Sequence, residues 1–304
     1  MRAVADLVDL CFADTLDPDG QQYLRQMRMA AESPRFLSWS ISQTSANNLP
    51  ASGYVWVEDG RLVGNLSLIP FLFHSRRYYL IANVAVHPDF RRKGIGRQLT
   101  NRGIEYAQQK GSPAVWLQVR EENLPAVNLY SSLGFSERAR RTTWLSQRDP
   151  VSQSPSPSVT ITASARKDWA QHSSWLERTY PPELAWHFSV DLKELRPGWL
   201  GAFQRFFSQV SLHQWAAFQD GQPQGFLSRV GNFNYADSLW LAVPPESDDS
   251  VTYSLLAHAR QHSSRRRSLA LDYPAGRVTQ AIQDAGFYAH QTLIWMTLDF
   301  SRHP

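Results

Sequence analysis

The stretch from Val84 to Gly96 reads VAVHPDFRRKGIG: a β-prone run, a proline, and two glycines that directly precede a helical pattern. Pro88 ends the strand because proline has no N–H to donate to a sheet. The glycines allow the backbone to approach an anion closely, and the following helix offers unpaired N–H groups at the positive end of its dipole. Positive charge is added by Arg91, Arg92, Lys93 and Arg97. The stretch therefore predicts a cradle for a phosphate or pyrophosphate group.

The glycine spacing differs from that of two common phosphate-binding motifs. It lacks the GxxxxGK[ST] pattern of the P-loop, and it lacks the glycine spacing and the later acidic residue of the Rossmann fingerprint. A second segment from Leu117 to Phe135 reads LQVREENLPAVNLYSSLGF and follows a predicted buried strand. Together the two segments resemble the acetyl-CoA motifs of the GNAT (Gcn5-related) N-acetyltransferase superfamily.

This resemblance implies an α+β, three-layer GNAT-like fold, in which a mixed, mostly antiparallel sheet is flanked by helices. It implies that backbone N–H groups near the glycines hold the pyrophosphate of acetyl-CoA, and that the Tyr130 hydroxyl acts as general acid toward the leaving sulfur. The implied cofactor-binding residues are Val84, Ala85, Val86, Arg91, Arg92, Lys93, Gly94, Ile95, Gly96, Arg97, Asn123 and Tyr130. No metal is expected.

The general base stays unassigned. In the family branch that acetylates ribosomal-protein N-termini, the segment before the asparagine reads LEVR, and its glutamate is the proposed base. Here Gln118 takes that place, and an amide cannot accept the proton. A water relay, Glu121 or Glu122 are the alternatives.

Other readings of these residues stay open. Tyr130 could be a core tyrosine, and Asn123 could cap the helix that follows it. His87 is interpreted as an exposed turn residue. Cys11, in a predicted amphipathic helix, is interpreted as a small buried hydrophobe and not as a covalent acetyl carrier.

The chain also contains an internal repeat. Asp59-Gly60-x-x-x-Gly64, Ala85-Val86-x-Pro88 and Leu133-Gly134-Phe135 recur at Asp220, Ala242 and Ala285, with offsets that fall slowly along the chain. A Ser/Pro-rich segment at 146–158 predicts a linker between a catalytic GNAT domain at 1–145 and a second GNAT-like domain at 159–304. Only the second copy has a predicted strand before its first helix, at Val159–Ala163.

The second copy is predicted to be degenerate. Asp248 and neighbouring acidic residues stand where a pyrophosphate needs cations, and the loop glycines are absent. We expect this copy to pack against the first in pseudo-twofold fashion, so that the protein is a monomer with pseudo-dimeric domains or a homodimer.

Composition restricts the class of protein. The 304 residues carry a net charge of +4 and a single cysteine, and we find no apolar run long enough to cross a membrane. These features argue against a disulfide scaffold, a nucleic-acid binder and a membrane protein, and they predict a cytoplasmic location.

The predicted function is acetyl-CoA-dependent N-acetylation of a primary amine, carried by a small metabolite or by a peptide or protein, through direct attack. The alternative is a non-catalytic acyl-CoA-binding regulatory or interaction protein.

Overall fold

The computed structural model describes residues 1–13, 18–32, 52–147, 158–187, 192–196, 211–231, 236–264 and 267–300. The chain divides into two units. Unit 1 comprises Met1–Ala139 and Leu293–Pro304, and unit 2 comprises Arg140–Thr292. Among the described residues, no helix combines the length and the apolar character that a membrane crossing requires.

Unit 1 contains two helices, then three strands, and then alternating helices and strands. Its helices are α1 (Arg2–Phe12), α2 (Pro18–Glu32), α3 (Ile95–Gln109) and α4 (Leu124–Ser132), and its strands are β1 (Ser52–Glu58), β2 (Arg61–Phe73), β3 (Arg76–Val86), β4 (Ala114–Arg120) and the start of β5 (Ser136–Ser146).

The sheet of unit 1 separates two apolar clusters. Alternation along β3 sends Ala85 to the side of α1 and α2 and sends Val84 and Val86 to the side of α3 and α4. On the second side, α3 buries Ile95 and Leu99, one helical turn apart. The sheet is mixed and mostly antiparallel, as predicted, with β3 and β4 as its parallel pair.

Unit 2 repeats this plan. Its elements are β6 (Thr160–Ala163), α5 (Trp169–Thr179), β7 (Ser211–Gln219), β8 (Gln222–Gly231), β9 (Ala236–Ala242), α6 (Asp249–Gln261), β10 (Ser268–Pro274), α7 (Thr279–Asp284) and the start of β11 (Phe287–Asp299). Here β9 and β10 form the parallel pair. The edge strand β6 pairs with β7 and corresponds to the strand predicted at Val159–Ala163.

Each unit is completed by a strand that the sequence-based division at 146–158 assigns to the other half. In unit 1, Leu293–Asp299 of β11 pair antiparallel with β4. In unit 2, Arg141–Leu145 of β5 pair antiparallel with β10. The structural boundaries at 139/140 and 292/293 therefore fall inside strands, whereas residues 148–157 of the predicted linker lie outside the described residues.

The repeated turns have the same backbone geometry in both units. Asp59 and Gly60 have φ of 47° and 75°, and Asp220 and Gly221 have φ of 50° and 74°, as expected for two-residue hairpin turns with both central φ angles positive. One residue is also bulged at the same place in each hairpin: Val63 lies opposite the step from Trp56 to Val57, and Gln224 lies opposite the step from Ala217 to Phe218. The internal repeat inferred from the sequence is thus a repeat of structure.

The shared glycine of the repeat has a packing role. A Cβ atom on Gly64 would lie 3.0 Å from Ile95 Cγ2, and one on Gly225 would lie 2.9 Å from Val251 Cγ1. Only glycine therefore allows α3 and α6 to pack this closely on their sheets.

Candidate active site

A groove opens in unit 1 where β3 and β4 separate. The two parallel strands pair over Tyr79–Ile81 and Val115–Leu117, and both continue beyond these residues. The β3 edge of this groove carries the predicted residues Val84, Ala85 and Val86.

Backbone pairing directs the Val86 N–H into the groove. Val86 stands opposite Gly64 on β2, and the His87 N–H donates to the Val63 carbonyl at 2.8 Å. This pattern makes Val86 and Gly64 a non-hydrogen-bonded pair, whose N–H and C=O groups point away from each other's strand. The Val86 N–H is therefore available to a polarised oxygen in the groove.

The Val86 carbonyl already has partners. Arg91 Nε donates to it over 3.2 Å, and Cys11 Sγ lies 3.4 Å from it. Burial raises the pKa of the Cys11 thiol, so the sulfur stays protonated near neutral pH. The structure thus places Cys11 at the end of β3, where the sequence pattern indicated only a buried apolar residue.

The predicted phosphate loop leads directly into α3. Gly94 is the N-cap with φ of 79°, and it supplies no side-chain hydrogen bond to the first turn. Arg92 also has a left-handed backbone, with φ of 63°. The first-turn N–H groups and the positive end of the helix dipole therefore face outward without a protein carboxylate as cap, which suits an anion.

The basic side chains of the loop differ in their exposure and in their contacts. Arg92 and Lys93 are exposed, with Lys93 Nζ 4.7 Å above the Phe90 ring. Arg97 donates to Ser132 Oγ at 2.7 Å and so joins α3 to α4. Ile95 is only 3% exposed, so its N–H, and not its side chain, is the group that can meet a ligand.

Gly96 is not required for packing. A Cβ atom there would lie 3.6 Å from Leu129 and 3.8 Å from Val86, which are ordinary contacts. Gly96 lies where α3, α4 and β3 meet, and packing alone does not demand a glycine at this position.

Asn123 is the N-cap of α4. Its side-chain oxygen accepts from the Ala126 N–H at 3.3 Å, so the capping interpretation is confirmed. The cap uses only the oxygen, and the exposed amide nitrogen keeps two N–H donors for a ligand.

Tyr130 lies on the buried side of α4. It is 6% exposed, and its ring packs edge-on against Phe135 at 6.0 Å. Burial raises the pKa of its phenol to about 12. The hydroxyl therefore stays protonated across the pH range in which amines are neutral, as a proton donor must.

The candidate bases are distributed around the end of β4. Gln118 lies on β4 opposite Trp295 of β11. Glu122 is exposed and lies 3.5 Å from Arg120, and Glu121 is partly buried. His87 forms a close contact with Arg61 at 2.7 Å and accepts from the Asp89 N–H. It is a turn residue, as predicted, but its side chain is only 12% exposed because these neighbours cover it.

In unit 2, the backbone N–H groups at the N-terminus of α6 and on β9 form hydrogen bonds with side chains of the same unit. Asp248 caps α6 and accepts from the Ser250 N–H at 2.7 Å, which places a carboxylate where unit 1 presents free N–H groups. The Leu241 N–H, on the open side of β9, donates to the Tyr180 hydroxyl at 3.2 Å. These contacts support the prediction that unit 2 does not bind a CoA-type ligand in this groove.

Residues 14–135 match the family model described as the acetyltransferase (GNAT) family. The chain is 46% identical over 59 residues to the ribosomal protein bS18-alanine N-acetyltransferase of Salmonella typhimurium. The aligned segment covers 19% of this chain and 40% of that protein. It is 32% identical over 140 residues to the mycothiol acetyltransferase of Thermomonospora curvata, which covers 43% of this chain and 42% of that protein.

The matches thus span about two fifths of the length of these relatives. Among solved structures, a GCN5-related N-acetyltransferase from Sphaerobacter thermophilus aligns with 98% of this chain and 91% of its own. Its TM-score is 0.58 at 15% identity. This similarity concerns the fold.

Proposed function

We propose that this protein transfers an acetyl group from acetyl-CoA to a primary amine, because residues 14–135 match the model of the acetyltransferase (GNAT) family. The observation that carries the proposal is that one apolar cluster of unit 1 contains residues from three features: the separated end of β3, the uncapped N-terminus of α3, and the buried Tyr130. Acetyl-CoA carries an activated thioester and a pyrophosphate.

The residues of unit 1 hold such a molecule at two points. The N–H groups that follow Gly94 bind the pyrophosphate, with Arg92 and Lys93 adding charge from the exposed side of the loop. The Val86 N–H donates to the thioester carbonyl, and this contact strengthens as negative charge develops on that oxygen. The Asn123 amide donates to the arm between these points.

Tyr130 donates a hydrogen bond to the leaving sulfur. Its raised pKa keeps the proton on the phenol until a more basic group appears nearby. Desolvation in the same buried place also raises the pKa of the thiol that the leaving sulfur forms. The pKa values of the phenol and of this thiol are therefore both raised in the step where the sulfur leaves.

The acceptor is a primary amine that attacks as the free base. The relatives differ in this respect, since one is named for an alanine of a ribosomal protein and the other for mycothiol. Gln118 cannot take the proton of the amine, so we assign no residue to that role. The acceptor class therefore stays a small-molecule or peptide amine.

Calorimetric titration with acetyl-CoA tests the first half of the proposal. We expect wild-type protein to bind one acetyl-CoA per chain and Gly96→Glu to lose binding, because its carboxylate occupies the anion cradle. Two sites per chain would show that unit 2 also binds, and no binding by the wild type would overturn the proposal.

A panel of small-molecule amines and of peptides with free N-termini tests the second half, with release of CoA thiol as the readout. We expect one class to be acetylated, and we expect Tyr130→Phe to slow the reaction about a hundredfold. Binding of acetyl-CoA without acetylation of any amine would favour the alternative, a non-catalytic acyl-CoA-binding protein.

A further inference from the structure

Four polar side chains meet beneath the groove in unit 1. Asn65 and Ser67 on β2 are each 4% exposed, and they lie beside Asn83 on β3 and Tyr23 on α2. Asn83 Nδ2 donates to the Tyr23 hydroxyl at 2.9 Å and lies 3.4 Å from Ser67 Oγ. Asn65 Nδ2 donates to the Asn83 carbonyl at 2.9 Å. Buried polar groups are costly unless they are paired, so this cluster defines one arrangement.

The cluster surrounds a β-bulge. Asn65 stands opposite Ala85 and Ser67 opposite Ala82, so β3 has one more residue than β2 between these pairs. Within the bulge Asn83 has φ of 50°, a left-handed conformation that asparagine tolerates better than most residues. Asn65 binds the backbone of the bulge, and Tyr23 binds its side chain.

Unit 2 shows the same strand pair without the bulge. Counted from the shared Asp-Gly turns, Phe226 takes the place of Asn65, and Ser228 takes the place of Ser67. Strands β8 and β9 pair in unbroken register from Phe226–Ala242 to Val230–Ser238. Unit 2, which lacks the anion cradle, therefore also lacks the extra bulge residue and the asparagine amide that binds the bulge in unit 1.

The position of the bulge gives it a consequence for the groove. It consists of Asn83 and Val84 and lies directly before Ala85 and Val86, so it sets the direction in which the Val86 N–H leaves the strand. We propose that Asn65 and Tyr23 are positioning residues, which hold the bulge at Asn83 so that the Val86 N–H meets the acetyl-pantetheine part of the ligand. This inference rests on the proposed function.

The test compares two ligands that share the pyrophosphate. Acetyl-CoA uses both the loop and the strand edge, whereas 3′-phosphoadenosine 5′-diphosphate uses the loop alone. We expect Asn65→Leu to weaken acetyl-CoA binding about tenfold, the equivalent of one or two misplaced hydrogen bonds, and to change binding of the nucleotide less than about twofold. Tyr23→Phe should produce a smaller loss of the same kind.

A pair of substitutions at the bulge itself separates backbone shape from side-chain loss. Glycine adopts positive φ freely and valine does not. Asn83→Gly should therefore keep most of the acetyl-CoA affinity that Asn83→Val loses. Phe226→Leu is the matched control, since it alters the equivalent buried position of unit 2 and should leave binding of both ligands unchanged.

The outcomes separate this inference from the function. Equal weakening of both ligands by Asn65→Leu, in protein that unfolds at the wild-type temperature, would overturn the positioning role and leave the proposed function standing. So would unchanged acetyl-CoA binding in both Asn65→Leu and Asn83→Val. Wild-type protein that bound neither ligand would overturn the function and this inference with it.

Discussion

The phenol of Tyr130 keeps its proton while an amine acceptor becomes a free base, because burial raises the phenol's pKa to about 12. An ordinary tyrosine ionises near pH 10. We therefore expect kcat/KM for the amine to rise with pH and to show no descending limb up to about pH 10. A descending limb centred near pH 10 and absent from Tyr130→Phe would contradict the buried donor. Tyr288→Phe, at a half-exposed tyrosine of unit 2, is the control.

His172 makes unit 2 sensitive to acid. Its ring is fully buried, stacks on Phe226 at 4.7 Å, and has no hydrogen-bond partner on either nitrogen. Burial lowers its pKa from 6.5 to about 3. At pH values between these two pKa values, His172 is protonated in the unfolded chain but not in the folded chain. The free energy of unfolding therefore falls with falling pH, by at most about 1.4 kcal/mol per pH unit.

His172→Phe should remove this dependence and keep the ring stack. Urea unfolding at pH 7 and at pH 5 measures the difference in free energy between the variant and the wild type. We expect the advantage of the variant to be larger at pH 5, by up to about 2 kcal/mol. An equal difference at both pH values would show that His172 is protonated in the folded unit.

At the scale of elements, the N-terminus of α3 is a helix start and the proposed ligand cradle, and substitutions at Gly96 distinguish these two roles. Gly96→Ala should leave the unfolding free energy equal or slightly higher, because the new Cβ makes ordinary contacts and alanine favours helices by about 1 kcal/mol. Acetyl-CoA affinity should fall about tenfold as the backbone becomes less accessible.

Gly103 on the same helix is the matched control for Gly96. A Cβ atom there would meet Leu66 at 3.2 Å and Ile81 at 3.3 Å, so Gly103→Ala should lower stability and leave ligand affinity unchanged. Loss of affinity in Gly103→Ala, or none in Gly96→Ala, would show that the ligand does not approach the first turn of α3.

At the scale of the whole molecule, the second half of β11, Leu293–Asp299, belongs to the candidate catalytic unit. Ile294, Met296 and Leu298 of β11 lie in the same apolar cluster as Tyr130, and β11 covers the edge of β4. A chain ended at Thr292 should therefore lose acetyl-CoA binding and one thermal unfolding transition, that of unit 1.

A chain ended after Phe300 keeps β11 whole and is the control for this truncation. It should bind acetyl-CoA like the wild type. Wild-type affinity in the chain that ends at Thr292 would mean that unit 1 folds without β11, and that the exchanged strand has no part in the site.

Local patterns of the sequence were sufficient for the elements and for part of the candidate site. The Asp-Gly turns, the helix that starts after Gly94 and the turn at Gly134 follow from the conformations that those residues prefer, so their spacing revealed both the repeat and the phosphate loop. The degenerate loop of unit 2 was readable for the same reason, since Asp248 is itself the cap of α6.

Long-range packing decided the rest. No local preference indicates that Arg141–Leu145 pair with β10 or that β11 pairs with β4, because strand partners are chosen by the burial of whole faces. Other contacts likewise join residues far apart in the chain. Cys11 contacts Val86, and Asn65 and Tyr23 form hydrogen bonds with Asn83 in the bulge. The sequence by itself determined the two glycines, the cations and the helix start of the loop after β3, from which an anion site is predicted. Only the tertiary structure decided which strands complete each unit and in which direction the edge of the groove points, since those depend on contacts that form only when distant segments pack together.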